Sequence, residues 1–273
     1  MLRQTSHMRV LSSFSFVEQL NWHANQTTHA LARLSSGQRL QMPQDDAGGL
    51  AVATRQGAQL RQYAATAGNL ANAVSYTQTQ GGYLQGAQNV LDRMGELAIR
   101  AQDGTLPSEQ RALYQEEFHT LKDAFNDART VQYNGVDVFN GATRSIPLSP
   151  AEGTVDTAGI DLFTPEINAV TALSTEVASL DTARNTLQIL QTASRQIAHD
   201  RAGLGAVLNE LQHASALIET QRTQITENLS RIQDTDTAQE TVRLARERIL
   251  TQSSVYALNH AHLQPQNVLN LLR

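Results

Sequence analysis

Few residues of this chain could act in catalysis or bind a metal, and their spacing does not suit either role. His260 and His262 lie two positions apart, so on a helix they point to different faces and could not share one metal ion. Asp45 and Asp46 form an adjacent acid pair, but aspartate before a helix is a common N-cap. The segment 35–37 lacks the strand and helix that flank a nucleophilic serine in hydrolases. The sequence therefore predicts no catalytic residue, no metal site, no cofactor and no enzyme.

The composition favours a helical protein with a thin apolar core. Of 273 residues, 40% are apolar and 5% aromatic, and the chain contains no cysteine. A chain without cysteine needs no disulfide in any redox compartment. The net charge of −5, without a basic block, argues against a nucleic-acid partner. No unbroken apolar segment marks a signal peptide or a membrane span, so we expect no membrane insertion and a protein that is either soluble or leaves the cell by a route that does not use such a signal.

The elements that would position any site are long helices, and the clearest spans residues 180–232. Apolar residues recur there in alternating steps of three and four, and no proline stands between Pro165 and Pro265. A seven-residue repeat held this long keeps one apolar seam against a partner helix, as in a left-handed coiled coil. At about 1.5 Å per residue, such a helix is about 80 Å long. It needs another long helix to lie against.

A second repeat of the same kind supplies that partner. Its seam runs through residues 60–101, and Asp45 or Asp46 would cap the start of its helix. Because the two repeats have similar lengths, we predict an antiparallel pair. A third helix should open at Pro107 and end near Arg129.

The region after the third helix changes to a period of two. Two Asn-Gly pairs, at 134–135 and 140–141, mark turns of a hairpin. Residues 145–161 are loop-like, with a strand expected at 154–163. We therefore predict a mainly α fold: an elongated antiparallel coiled-coil rod of long helices, a small β region at about 131–163, and a pair of terminal helices.

The terminal helices are predicted at residues 10–34 and 238–262, the first ended by Gly37 and the second by Pro265. In the second we expect an inward face made of Val242, Ala245, Ile249, Tyr256 and Ala257. The further apolar residues of the two ends, expected to act in assembly, are Leu11, Phe14, Val17, Leu20, Val255, Leu258, Val268, Leu269, Leu271 and Leu272.

Two interpretations of these apolar ends stay open. The ends could be frayed or form a simple antiparallel dimer seam. Alternatively, both could be disordered in the monomer and bury their apolar faces only among identical copies, where a head-to-tail contact produces an open helical filament. On either interpretation we expect residues 1–44 and 234–273 to form one terminal helical domain, and residues 45–233 the rod domain.

Several segments resemble bacterial flagellin. The N-terminal signature of that family is similar to ARLSSGQRL at 32–40 and DDAGGLA at 45–51. Its hairpin is similar to VQYNGVDV at 131–138, and its C-terminal segments to LSRIQDTD at 229–236 and QPQNVLNLLR at 264–273. The resemblance covers residues 28–141 and 180–273. Since only about 40 residues separate the two parts, it implies a short form without outer variable domains.

The resemblance implies a structural role in swimming motility. The terminal helices would form the inner tube of a hollow extracellular filament, and the rod its outer tube. Subunits would be exported by the flagellar type III apparatus and added under a cap protein. The implied partners are further copies of this chain, a flagellar export chaperone, and cap and hook-associated proteins. The resemblance also implies a patch for the animal flagellin-sensing Toll-like receptor, which here would comprise Leu91, Arg93, Glu96, Leu97 and Glu117.

Two alternatives to a filament subunit are considered. The first is the related hook–filament junction protein, against which the ending PQNVL at 265–269 argues. The second is a cell-surface flagellin homologue that binds polysaccharide, for which an aromatic-lined cleft is needed and few aromatic residues are present.

Overall fold

The computed structural model describes residues 2–149 and 153–271, and the side chains of residues 17–148 and 153–260. The chain is mainly α-helical, as the sequence predicts. Within the described residues its elements, in order, are α1 (Leu2–Ser36), α2 (Ala47–Ala101), α3 (Ser108–Arg129), β1 (Gln132–Tyr133), β2 (Val136–Asp137), β3 (Ser145–Ser149), β4 (Gly153–Asp156), α4 (Pro165–Thr171), α5 (Leu180–Gln233) and α6 (Thr237–Leu271).

The predicted end of α1 and the predicted start of α2 are confirmed. Gly37 follows α1 at φ 70°, a conformation that glycine adopts at little cost, and its amide donates to the carbonyl oxygen of Arg33 at 2.9 Å. Asp46 caps α2, because its Oδ1 accepts a hydrogen bond from the amide of Gly49 at 2.8 Å.

Two other helix ends differ from the prediction. The helix α1 begins at Leu2 rather than near residue 12, since no proline or glycine precedes Gly37 to interrupt it. The helix α6 continues through Pro265 to Leu271. A proline inside a helix removes one amide hydrogen bond, which here does not end the helix.

The long helices α2 and α5 form an antiparallel pair, as predicted. Nε2 of Gln88 donates to Oγ of Ser194 at 2.7 Å, and Nε2 of Gln102 contacts the carbonyl oxygen of Ala183 at 3.4 Å. Later residues of α2 thus meet earlier residues of α5, which fixes the direction. The apolar core between them, joined by two phenylalanines of α3, includes Leu84, Leu91, Met94, Leu97, Phe118, Phe125, Leu190, Ile197 and Leu204.

The β region contains two hairpins. Strands β1 and β2 pair antiparallel around Asn134 and Gly135, whose φ angles of 51° and 75° define the turn predicted by the Asn-Gly signal. Strands β3 and β4 form a second antiparallel pair. The predicted strand at 154–163 was wrong in its extent, because the chain leaves the sheet after Asp156. The strand β3 lies where a loop was predicted, and the helix α4 lies in a segment for which the sequence predicted no element.

The chain divides into two compact units. One contains residues 60–223, with the α2–α5 core, α3, the hairpins and α4. The other contains the residues up to Gln59 and those from Gln224 onward. In this second unit α1 packs against α6, and the segments that follow α1 and α5 pair through an antiparallel bridge between Gln38 and Asp234.

Two features are absent from the described part of the chain. No described helix is both long and apolar enough to cross a bilayer. Among the same residues, no group of three or more His, Cys, Asp or Glu side chains could hold a metal ion.

Candidate assembly surfaces

The contact between α1 and α6 is made by charged side chains as well as apolar ones. Nδ1 of His23 lies 2.7 Å from Oε2 of Glu247, and Nη1 of Arg33 lies 3.8 Å from Oε1 of Glu240. The two glutamates are only 8% and 7% exposed. As α6 advances from Glu240 to Glu247, α1 returns from Arg33 to His23, so the helices run antiparallel.

The apolar residues predicted to face inward on α6 lie mainly on its outer side. Val242, Ile249 and Tyr256 are 70%, 65% and 72% exposed, and Ala245 is also exposed, whereas Ala257 is half-buried. The prediction for this face was wrong because the glutamates of α6 find polar partners, Arg33 and His23, on α1 and take the buried positions. We call Val242, Ile249 and Tyr256 the outer stripe of α6.

The helix α1 also leaves apolar side chains exposed. Val17 and Leu31 are 43% exposed, Ala24 is exposed, and Trp22, the single tryptophan, is 55% exposed. We call Val17, Ala24 and Leu31, which are spaced by seven residues, the α1 stripe.

The residues predicted to act in assembly are placed as follows. Val17 and Val255 are exposed, and Leu20 and Leu258 are half-buried. The side chains of the remaining six lie outside the described residues: Leu11, Phe14, Val268, Leu269, Leu271 and Leu272.

Asp45 organises the segment between α1 and α2. Its Oδ2 accepts hydrogen bonds from the amides of Met42 and Gln41 at 3.0 and 3.1 Å, and its Oδ1 accepts from Nη2 of Arg33 at 3.0 Å. These bonds, that from Met42 foremost, hold the pKa of Asp45 below its ordinary value of 3.8. Since Arg33 also faces Glu240, this guanidinium connects the segment to α6.

The residues of the predicted receptor patch separate into two groups. Nε of Arg93 donates to Oε1 of Glu117 at 2.7 Å, and its Nη1 lies 2.8 Å from Oε2 of Glu96, so three charged side chains form one cluster at the surface. Leu91 and Leu97 are 2% and 0% exposed and belong to the core beneath it. They can act on a partner only by supporting the charged cluster.

A groove in the unit of residues 60–223 is relevant to the alternative that this chain is a homologue that binds polysaccharide. It encloses about 730 Å³ between α2 and α5, and its lining includes Ile99, Leu187 and Arg195. None of its ten lining residues is aromatic, so it offers no ring on which a sugar could stack.

The sequence prediction missed the charged contact between α1 and α6. The signal that could have revealed it is that Glu240 and Glu247, seven residues apart, are the only acids between residues 237 and 260. A seven-residue spacing places both on one face of a helix.

The fold and the exposed stripes define a class: helical proteins whose paired terminal helices leave apolar residues exposed. Two family descriptions match this chain. Residues 11–144 match the bacterial flagellin N-terminal helical region, and residues 187–272 match the bacterial flagellin C-terminal helical region. The chain belongs to the bacterial flagellin family.

Individual relatives agree with this assignment. A flagellin from Halalkalibacterium halodurans is 30% identical over 91% of this chain and 93% of its own length. The flagellar filament 30.7 kDa core protein of Treponema maltophilum is 32% identical over 96% of this chain and 98% of its own. A solved structure described as a flagellar hook-associated protein from Vibrio parahaemolyticus covers 69% of this chain and 99% of its own, with a TM-score of 0.60 and 12% identity. That last likeness is one of fold alone.

Proposed function

We propose that this chain is the structural subunit that self-polymerises into a bacterial flagellar filament for swimming motility. The observation that carries the proposal is the exposed apolar surface of the α1–α6 pair. Val242, Ile249 and Tyr256 are each at least 65% exposed on a helix that already has a partner in its own chain. Apolar surface of this kind commonly marks a protein–protein contact.

The proposal assigns different parts of the chain to different layers. Residues 1–44 and 234–273 form the inner domain, whose apolar side chains contact neighbouring copies. Residues 45–233 form the outer long-helix domain. In this scheme Val17, Leu20, Val255 and Leu258, together with the apolar residues nearer the two ends, act in assembly.

The proposed export, assembly and location of the subunit follow from its family. It is exported through the flagellar type III apparatus with the help of an export chaperone. It is then added to the growing filament under a cap protein, and the filament adjoins hook-associated proteins at its base. The subunit works outside the cell and catalyses no reaction. The exposed apolar side chains of the α1–α6 pair support a role in packing.

Negative-stain microscopy of the purified chain, seeded with sheared filament fragments, tests this function. We expect filaments from the full chain above a critical concentration. A fragment of residues 45–233, first shown to be helical by circular dichroism, should stay monomeric. Filaments from both would refute the role of the terminal helices, and the failure of the full chain to elongate any seed would refute the function.

We also propose that the monomer binds the flagellin-sensing Toll-like receptor of animals through Arg93, Glu96 and Glu117. Support comes from the shared hydrogen bonds of this exposed cluster, which hold the three charges in one arrangement. Replacing Arg93 or Glu117 by alanine should weaken binding to the receptor ectodomain in surface plasmon resonance. Arg195→Ala, which removes an exposed arginine from the same unit, should not. Equal binding by all variants would exclude this patch.

A further inference from the structure

We propose that the pair of long helices contains a flexible joint, a short level at which α2 and α5 open locally and bend. The joint comprises residues 77–82 of α2 and residues 200–205 of α5. This inference goes beyond the proposed function, since it concerns the single chain and does not require that the chain polymerises.

The apolar core between α2 and α5 consists of two clusters, and the joint lies at their border. Leu84 and Leu204 belong to the larger cluster, whereas Leu70 and Leu211 belong to the smaller one. Burial of apolar surface is the main term that holds two packed helices together. The helix pair is therefore held least firmly where one cluster ends and the other has not begun.

Polar side chains take buried positions at this border. Thr77 and Gln80 of α2 are 0% and 1% exposed. Nε2 of Gln80 donates to the carbonyl oxygen of Val138 at 3.1 Å, but Oε1 of Gln80 and Oγ1 of Thr77 form no hydrogen bond with any described residue. On α5, Oδ2 of Asp200 is likewise buried without a donor. A buried polar atom without a partner lowers stability, and local opening returns it to water.

Glycines lie at the same level of both helices. They are Gly81 and Gly82 on α2, and Gly203 and Gly205 on α5, and glycine stabilises a helix less than alanine does. Packing requires only Gly81, where a β-carbon would lie 3.2 Å from Cδ2 of Leu204. At the other three positions a β-carbon would meet no neighbouring described group within 4 Å. Close packing of the two helices therefore does not account for these three glycines.

The three features coincide within two turns of each helix. An interrupted core, unpaired buried polar atoms and glycines each lower the free energy of local opening, and proteins open first in such segments. Since the glycines lie on both helices, α2 and α5 can depart from a straight course together. The two apolar clusters on either side form the stiffer segments.

Hydrogen exchange of the full-length dilute monomer tests whether the joint opens. Peptides are followed by mass spectrometry. We expect the amides of residues 77–82 and 200–205 to exchange at least tenfold faster than those of residues 87–101 and 183–197, which belong to the same helices. Equal protection along both helices would overturn the proposal.

Substitution of single glycines shows whether glycine is a cause of the opening. Gly82→Ala and Gly205→Ala should each slow exchange at the joint about fivefold, on both helices. Gly95→Ala is the matched control, because its β-carbon also meets no neighbouring described group within 4 Å but lies beside the larger cluster. It should leave exchange at the joint unchanged. An equal effect of Gly95→Ala and Gly82→Ala would show a general stabilisation of α2 and would overturn the assignment of the joint.

Paired spin labels test bending, and the absence of cysteine from the natural chain allows them to be placed freely. The pair Arg195→Cys and His213→Cys spans the joint on α5, and the pair Asp181→Cys and His199→Cys spans the same number of residues before it. All four positions are exposed. Each pair spans about 27 Å and five full turns of helix, so the two intervals are comparable.

Double electron–electron resonance should give a broader distance distribution for the pair that spans the joint. Adding Gly205→Ala to that pair should narrow the distribution toward that of the control pair. Equal widths for the two pairs in the natural background would show that α5 is as stiff at the joint as before it, and would overturn the proposal.

Discussion

Nδ1 of His23 on α1 lies 2.7 Å from Oε2 of Glu247 on α6, and the glutamate is 8% exposed. The contact joins residues 224 positions apart and ties the two ends of the described chain together. We expect Glu247→Ala to lower the free energy of opening of the α1–α6 pair by about 1–3 kcal/mol, because it leaves His23 without its acceptor. Hydrogen exchange of α6 amides in the dilute monomer measures this.

A double-mutant cycle separates the contact from the general loss of side chains. The variants His23→Ala, Glu247→Ala and the double variant should show a coupling energy of about 0.5–3 kcal/mol. Strictly additive effects would show that the two side chains do not interact. Gln252→Ala, an exposed position of the same helix, serves as the control.

Asp45 should make the terminal unit sensitive to acid. Hydrogen bonds from Met42, Gln41 and Arg33 lower its pKa in the folded state below 3.8. A carboxyl group whose pKa is lowered by folding stabilises the fold above its unfolded pKa, and this contribution is lost as the pH falls through the folded pKa. Asp45→Asn should therefore destabilise the monomer at neutral pH and show a smaller further loss between pH 5 and about pH 3. Thermal unfolding at several pH values tests this, with Glu18→Gln, an exposed acid of α1, as the control.

Asp200 on α5 should behave in the opposite way. Burial raises its pKa, and its Oδ2 is buried without a hydrogen-bond donor while Oδ1 accepts from Nε2 of Gln196 at 3.0 Å. A carboxyl whose pKa is raised by folding costs stability once the pH exceeds its unfolded pKa, and the cost is complete above the folded pKa. Asp200→Asn should therefore stabilise the chain by about 1 kcal/mol at neutral pH and give no gain in acid.

Asp92 provides a matched control for Asp200. Its Oδ1 accepts a hydrogen bond from Nε2 of Gln88 at 2.8 Å, four residues earlier on α2, but the carboxylate is exposed. Asp92→Asn should change the unfolding midpoint little at any pH. An equal gain from both substitutions would mean that burial is not the cause.

Arg129 should be needed to hold α4 against the end of α3. It is 4% exposed, its Nε donates to the carbonyl oxygen of Leu162 at 2.8 Å, and its Nη1 donates to Oγ1 of Thr171 at 3.1 Å. The guanidinium also lies 4.5 Å from the ring centroid of Phe163. Arg129→Met should cost about 2–4 kcal/mol of unfolding free energy in urea, because several buried acceptors lose their donor. Arg195→Met, on the exposed side of α5, should cost far less.

Trp22 should report assembly. It is the single tryptophan and is 55% exposed in the isolated chain. If the α1–α6 pair is covered by neighbouring copies, its fluorescence should shift to shorter wavelength as filaments form and return on depolymerisation. Emission that is identical in monomer and filament would place Trp22 outside every contact between copies.

Most of the architecture could be predicted from local sequence signals. The recurrence of apolar residues in alternating steps of three and four predicted which faces of α2 and α5 are buried. Buried residues follow this spacing along both helices, from Leu70 to Ala101 and from Ala183 to Ile218. Capping by Asp46 and the turn at Asn134 were likewise local, since each depends on a residue and its next few neighbours. Local signals were weaker for β3 and α4, whose positions depend on contacts such as that of Arg129 with Leu162.

The sequence by itself determined that α6 is a helix with apolar and charged residues in a seven-residue spacing. Only the tertiary structure decided which of its faces is buried. Val242 and Ile249 would suit an inward position by their hydrophobicity, yet Glu240 and Glu247 occupy it. The physical reason is that a carboxylate can be buried when a charged or hydrogen-bonding partner meets it, and two such partners, Arg33 and His23, lie more than 200 residues away in the chain.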